Sequence, residues 1–394
     1  MHFSDPRPYA LHITDEALSD LRERLARTRL ADEPPDQTAA QHWRYGTNQA
    51  WLKGLLQTWR ESFDWRAEEA ALNAFAQYRV EIDGQLLHYL HIDPAHGRAQ
   101  SRPLLLLHGW PGSVFEFLDL IPRLSQSADA PNEGEDRGAI GPLIVPSLPG
   151  FALSFTPGQE RVPLKRMADL LHALMHRVLG FSSYCIQGGD WGSFIASDLA
   201  YRYPEQVAAI HLNFLPLRRD ALLQAEEAHP EEARYARELA VFLREEAGYQ
   251  AIQGTRPQTL AYALTDSPAG LAAWIGEKFQ GWSDCVSAPE EAIARARILA
   301  NISLYWFTAA IGSSFWPYFA RARSPWFLPA GEAIQVPVGY CQFPREILKP
   351  PRSLAQRRYR RIVRWTEATK GGHFAALEQP EFLAREIRAS FACL

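Results

Sequence analysis

The sequence predicts an α/β protein with a mostly parallel sheet, and three observations predict it. Short, wholly apolar runs at Leu104–Leu107 and Leu143–Pro146 read as strands buried on both faces, and Tyr184–Gln187 reads as a further strand. Helical spacing alternates with these runs, the βαβα order of a parallel sheet covered on both sides. The alternation then stops near residue 216 and resumes at Ile334, so a helical unit interrupts the core.

Taken in order, Thr14 to Leu30 reads as an amphipathic helix. Thr14 or Asp15 can cap it, and Leu18, Leu21, Leu25 and Leu30 fall mostly on one face. Trp43 to Phe75 is tryptophan-rich and helix-leaning, which completes an N-terminal helical meander over residues 1–75. Tyr78 to Ile92 holds two alternating runs around Asp83-Gly84, a hairpin signal. Ser125 to Gly141 is polar and reads as an exposed loop. Leu164, Met167, Leu171, Leu174 and Val178 step by three and four residues toward a stop at Gly180. Phe194 to Tyr203 reads as helix and Val207 to Phe214 as strand. Residues 216–333 are alanine-rich, helical and aromatic, the expected lid. Ile334 to Tyr340 and Val363 to Glu367 close the sheet, and Pro380 to Phe391 is a final helix. The core is thus expected in two pieces, 76–215 and 334–394.

Composition narrows the function classes. The 394 residues carry a net charge of -4, so no nucleic-acid footprint is expected. The basic run Arg357 to Arg361 reads as solvated surface. Cysteines 185, 285, 341 and 393 form neither a CxxC pair nor a Cys/His cluster, so neither zinc nor a disulfide framework is expected. The polar N-terminus does not read as a signal peptide, and no apolar run approaches the roughly 18 residues of a membrane span. A soluble, cytoplasmic protein is the expectation, with no membrane partner and no cofactor.

One stretch raises the question of chemistry: Gln187-Gly188-Gly189-Asp190-Trp191-Gly192-Ser193. An acid on a tight glycine turn is often only a turn residue. It also fits a nucleophile elbow, in which small flanking residues let a strand turn sharply into a helix. Three other segments decide the matter. His108-Gly-Trp-Pro-Gly112 follows an earlier strand, where a loop would supply an oxyanion N–H from Trp110 beside that of Trp191. Glu346, in Phe343-Pro-Arg-Glu346, follows a late strand; its bland reading is an ion pair with Arg345 or Lys349. Glu332 is a rival acid, but it precedes its strand. His373, in Gly371-Gly-His-Phe374, follows the last strand. The order nucleophile, acid, histidine is that of the α/β-hydrolase fold. With a carboxylate as nucleophile, displacement at an sp³ carbon yields an alkyl–enzyme ester. Either an epoxide opening or a halide displacement fits; the epoxide needs an acid donor above the nucleophile, which lid tyrosines can supply.

These motifs, in their order, resemble the epoxide hydrolases of the microsomal and juvenile-hormone type over nearly the whole chain. The resemblance rests on Pro8–Ile13 to Phe63–Arg66, His108–Ser113, Gly188–Ser193, Asp266–Phe279, Leu304–Trp306, Phe343–Glu346 and Gly371–Glu381. It implies Asp190 as nucleophile, Glu346 as charge-relay acid and His373 as general base. It also implies Tyr249 and Tyr318 as the tyrosines that polarise the epoxide, where the residues alone suggest lid packing; Tyr305 competes for the second place. Trp110, Trp191, Tyr249 and Tyr318 are expected to meet the substrate. Microsomal members begin with a membrane anchor, which this sequence is expected to lack. The expected reaction converts an epoxide, apolar or aryl-bearing, to a vicinal diol with water as co-substrate and without metal or organic cofactor. A haloalkane-type dehalogenase and an inactive binding scaffold are the rivals, and a homo-oligomer is left open.

Overall fold

The computed structural model describes residues 1–34, 43–93, 101–125, 140–217 and 229–392. Most of the loop expected at Ser125–Gly141, the start of the insertion and Cys393 lie outside the described residues.

Nine strands among the described residues form one sheet. They are β1 (Arg7–Tyr9), β2 (Gln77–Ile82), β3 (Gln85–Ile92), β4 (Arg102–Leu107), β5 (Ile140–Pro146), β6 (Tyr184–Gly188), β7 (Val207–Leu212), β8 (Ile334–Gln342) and β9 (Tyr359–Glu367). Their spatial order is β1-β2-β3-β5-β4-β6-β7-β8-β9. β1, β2, β3 and β5 pair antiparallel; every pairing from β5 through β4 to β9 is parallel. This is the α/β-hydrolase fold. Leu104 to Leu107 are fully buried, as their unbroken apolar run requires. The β2–β3 hairpin turns at Asp83 and Gly84, both at positive φ, as a two-residue turn of this kind demands. β1 has no sequence signal. It is three residues long and contains Pro8, which only a sheet edge tolerates.

The meander resolves into three helices. Asp15–Ala26 is capped by Thr14, whose hydroxyl accepts from the Ala17 N–H. Gln49–Glu61 and Trp65–Asn73 carry Asn48 and Asp64 as caps, so the helix-leaning stretch breaks where a new cap begins. The helix Leu164–Ala173 ends in a wider π-type turn, Leu174–Val178, ahead of Gly180 at positive φ.

Between β7 and β8 the chain is helical. Pro230–Glu245, Pro257–Asp266 and Pro268–Trp282 each begin with proline, whose missing N–H costs nothing in the first turn. The meander grips this insertion. The Gln49–Glu61 helix packs so closely on Pro268–Trp282 that a Cβ on Gly276 would lie 2.4 Å from the Trp51 ring. Arg297 pairs with Glu68 at 2.6 Å and Arg24 with Asp266 at 3.1 Å. The run Arg357 to Arg361 is only in part the solvated surface expected. Arg360 and Arg361 are exposed, but Tyr359 is buried in β9 and Arg357 reaches the buried Glu232 of the insertion at 2.7 Å. A basic run thus serves as a tie between core and insertion, which charge patterning alone does not show. No single described helix is long and apolar enough to cross a membrane; Arg295–Thr308 and Ile311–Arg323 reach that composition only as a pair bent by 104°.

Candidate active site

Asp190 stands where β6 turns into the helix Asp190–Arg202. Its φ of 44° lies in the left-handed region, a strained conformation for a residue with a side chain. The turn leaves the carboxyl 15% exposed at the C-terminal edge of the sheet. The loop after β4 comes up against it: a Cβ on Gly109 would lie 2.3 Å from both Cβ and Oδ1 of Asp190. Only glycine leaves that space. The Trp110 N–H then donates to Asp190 Oδ1 at 2.8 Å. Trp191 sits in the first turn of the following helix, where backbone N–H groups have no intrahelical acceptor. His108 anchors the loop. Its Nδ1–H donates to the Gly109 carbonyl at 2.9 Å and its Nε2 accepts from the Leu148 N–H at 3.1 Å, while burial holds its pKa down to about 4.

His373 faces the other carboxylate oxygen. Its Nε2 is 3.7 Å from Asp190 Oδ2, and its Nδ1 is 2.7 Å from Glu346 Oε1. The Glu346 side chain is fully buried, and Oε1 also accepts from the Ile347 N–H at 2.8 Å. The bland partners are otherwise engaged: Arg345 lies 3.9 Å from Asp284, and Lys349 donates to the Pro344 carbonyl. Glu332, the rival acid, accepts from the Tyr201 hydroxyl. Burial alone would lower the His373 pKa. The Glu346 charge and hydrogen bond outweigh it, with Asp190 and Glu116 adding, and raise it to about 9.

Above this pair the insertion presents its aromatic rings. Tyr249 stacks on Trp110 at 5.4 Å, with the planes 9° apart. Tyr318 stands edge-on to Trp110, Trp191 and Tyr249, at centroid distances of 5.7, 4.8 and 5.7 Å. Tyr305 is elsewhere. Its hydroxyl donates to the Gly112 carbonyl at 2.8 Å. The structure therefore brings Asp190, Glu346, His373, Trp110, Trp191, Tyr249 and Tyr318 together. Among the described residues, no group of three or more His, Cys, Asp or Glu could hold a metal ion.

Comparison with known proteins assigns the family. Residues 6–117 match the family model described as epoxide hydrolase N terminus, and residues 102–286 match that of the alpha/beta hydrolase fold. Epoxide hydrolase 1 of Sus scrofa is 34% identical over 97% of this chain and 87% of its own length. The chain belongs to the epoxide hydrolase family. Two solved members of that family share its architecture. The juvenile hormone epoxide hydrolase of Bombyx mori superposes with a TM-score of 0.85 at 30% identity, over 98% of this chain and 94% of the other. The Aspergillus niger epoxide hydrolase gives 0.82 at 30% identity, over 98% and 96%.

Three features of this epoxide hydrolase escaped the sequence reading. Glu116, in the one-turn helix Val114–Phe117 after the Trp110 loop, lines a small chamber with Asp190 and His373. Glu378 accepts from the Phe374 N–H at 3.0 Å and from the Asp284 N–H at 2.8 Å, tying the His373 loop to the segment just after the helix Pro268–Trp282 of the insertion. The His373 N–H itself donates to the Trp282 carbonyl at 2.8 Å. Asn301, on the helix Arg295–Thr308, donates to the Pro111 carbonyl at 2.7 Å and accepts from the Ser113 hydroxyl at 2.7 Å. Glu378 falls inside the Gly371–Glu381 motif, which carries no signal of its partners.

Proposed function

We propose that this enzyme opens an epoxide by attack of Asp190 and hydrolyses the resulting ester with water activated by His373. The single observation that carries this reading is the division of the Asp190 carboxylate. Oδ1 is held by the Trp110 N–H, while Oδ2 faces His373 beneath the tyrosine pair.

In the first step Oδ2 forms a bond to one epoxide carbon and that carbon's bond to oxygen breaks. Tyr249 and Tyr318 polarise the oxygen, and one of them delivers a proton to the alkoxide. Tyr305 does not compete, because its hydroxyl is committed to Gly112. Ester formation removes the Asp190 charge, one of the groups that hold the proton on His373. His373 gives up that proton to solvent and becomes a base, while the tyrosinate takes one proton from solvent and is restored. In the second step His373 takes a proton from water, the water oxygen bonds to Asp190 Cγ, and negative charge develops on Oδ1. The Trp110 and Trp191 N–H groups stabilise that oxyanion. Collapse breaks the Cγ–Oδ2 bond, the diol leaves with Oδ2 and takes the His373 proton, and the proton left on the new Asp190 carboxyl oxygen passes to His373, which restores the carboxylate and the imidazolium. Glu346 keeps the Nδ1 proton in place and stabilises the imidazolium.

Residues 216–333 act as a lid over a core formed by 76–215 and 334–394, with 1–75 as the meander clasping both. The ring-lined site suits an apolar or aryl-bearing epoxide. We place the enzyme in the cytoplasm, with water as co-substrate and a homo-oligomer left open.

His373→Gln should stall the second step. Mixed with aryl and alkyl epoxides and with haloalkanes, this variant is expected to gain the mass of one whole epoxide on the peptide bearing Asp190. A gain equal to a haloalkane less its hydrogen halide, with no epoxide adduct, would instead make the protein a dehalogenase. Absence of any adduct would leave a scaffold that only binds. A single turnover of the wild type in water enriched in heavy oxygen should place the label in Asp190 and not in the diol.

A further inference from the structure

A chamber of about 20 Å³ lies against Asp190, room for a single water molecule. Its polar wall consists of His108, Glu116, Gln187, Asp190, Asn213 and His373, and no residue of the helical insertion lines it. It therefore opens on the core side of the nucleophile, away from Tyr249 and Tyr318.

Two features mark the chamber as built for a polar guest. Gln187 donates through Nε2 to Asn213 Oδ1 at 2.8 Å, which leaves its Oε1 buried without a partner, on a residue 2% exposed. A buried acceptor of this kind is costly unless something donates to it. The second feature is Gly112. A Cβ there would lie 1.3 Å from Glu116 Oε1, so the loop reserves that space for the Glu116 carboxyl. The same loop reserves the space at Gly109 for Asp190. The place of Glu116 is then fixed from both sides: its own N–H donates to the Ser113 carbonyl at 3.0 Å, and Tyr305 and Asn301 hold the Gly112 and Pro111 carbonyls.

We propose that Glu116 is a further catalytic residue, which holds the hydrolytic water in this chamber jointly with His373. His373 Nε2 takes one proton of the water. The carbonyl oxygen of the Glu116 carboxyl accepts a hydrogen bond from the other and transfers nothing, while the water oxygen bonds to Asp190 Cγ. Burial, reinforced by the Asp190 charge against the opposing effects of His373 and the Ser113 N–H, pushes the Glu116 carboxyl up to about 8. At neutral pH it is the uncharged acid, so it offers an acceptor without repelling the nucleophile. The other groups facing the chamber do not change this: His108 is held neutral by burial. The assignment rests on Asp190 forming the ester.

The test separates the two chemical steps. Stopped-flow tryptophan fluorescence, read from Trp110 and Trp191 beside Asp190, follows ester formation and ester hydrolysis in a single turnover of a saturating aryl epoxide. Glu116→Leu and Glu116→Ala both remove the acceptor, one filling the chamber and one enlarging it, so a folding defect in either leaves the other. Ester formation should stay within about threefold of wild type in both variants, while hydrolysis slows roughly 10- to 100-fold and the ester accumulates on Asp190. Glu116→Gln keeps a carbonyl acceptor and should restore most of the hydrolysis rate. Wild-type hydrolysis in the Leu and Ala variants would overturn the proposal, as would a parallel fall in both steps or a Gln variant no better than Ala. If His373→Gln forms no ester on Asp190 with the same epoxide, the underlying reading fails instead.

Discussion

Gly109→Ala tests how tightly the oxyanion loop and the nucleophile are fitted to each other. The added Cβ would lie 2.3 Å from Asp190 Cβ and Oδ1. Carbon contacts relax only near about 3.5 Å, so Asp190 or the loop must retreat by roughly 1 Å. The contact is with backbone-anchored atoms on both sides, and Asp190 already sits at a φ of 44° with little freedom to move. A misplacement of that size at a reacting group costs on the order of 100-fold in rate. Overpacking of this kind costs about 1–3 kcal/mol in stability. Gly276→Ala is the matched control, since its Cβ would meet the Trp51 ring at 2.4 Å, away from Asp190. Both variants should melt earlier in calorimetry. Only Gly109→Ala should slow ester formation, read as the fast fluorescence phase in a single turnover. If Gly109→Ala forms the ester at the wild-type rate, or Gly276→Ala slows it equally, the fit between loop and nucleophile is not what sets the rate.

Other perturbations read out separate parts of the site. Tyr249→Phe and Tyr318→Phe should each slow ester formation roughly 10²-fold and leave ester hydrolysis near wild type, whereas Tyr305→Phe should act chiefly on stability. Glu378→Gln presents an amide N–H₂ toward the Asp284 or Phe374 N–H; calorimetry should show a loss of about 1–3 kcal/mol, with hydrolysis of the ester slowed more than its formation. His373 titrates near 9 folded against 6.5 unfolded, so its partners stabilise the fold fully below 6.5, and that contribution disappears as pH rises through 9. Chemical denaturation should accordingly show the stability gap between wild type and His373→Gln widest at acid-to-neutral pH and shrinking toward 9. A gap independent of pH would contradict the raised value.

The legible parts of the molecule were those written in local order. Apolar runs, helical spacing and the Asp83-Gly84 turn announce the sheet and hairpin because strand burial and turn conformation act on neighbouring residues. Asp190, Glu346 and His373 were legible because each follows a strand, and parallel strands deliver their C-terminal ends to one edge. Glu116 was not, since an acid in the apolar run Val114–Phe117 looks like surface until Gly112 is seen to make room for it. Nor were Asn301, Glu378 and Arg357, whose meaning lies in partners about 190, 94 and 125 residues away in the chain. β1 stayed hidden because three residues carry no period.

The bonds from Asn301 and Tyr305 to the Pro111 and Gly112 carbonyls have a consequence for modular engineering and for descent. A helical cover that also braces the backbone beside Trp110 cannot be exchanged as an interchangeable part. A chimera that takes its cover from a relative must import an amide and a phenol at these two places, or lose the bracing of the loop that carries Trp110. Divergence in this lineage is thus expected to keep the helix Arg295–Thr308 with the core.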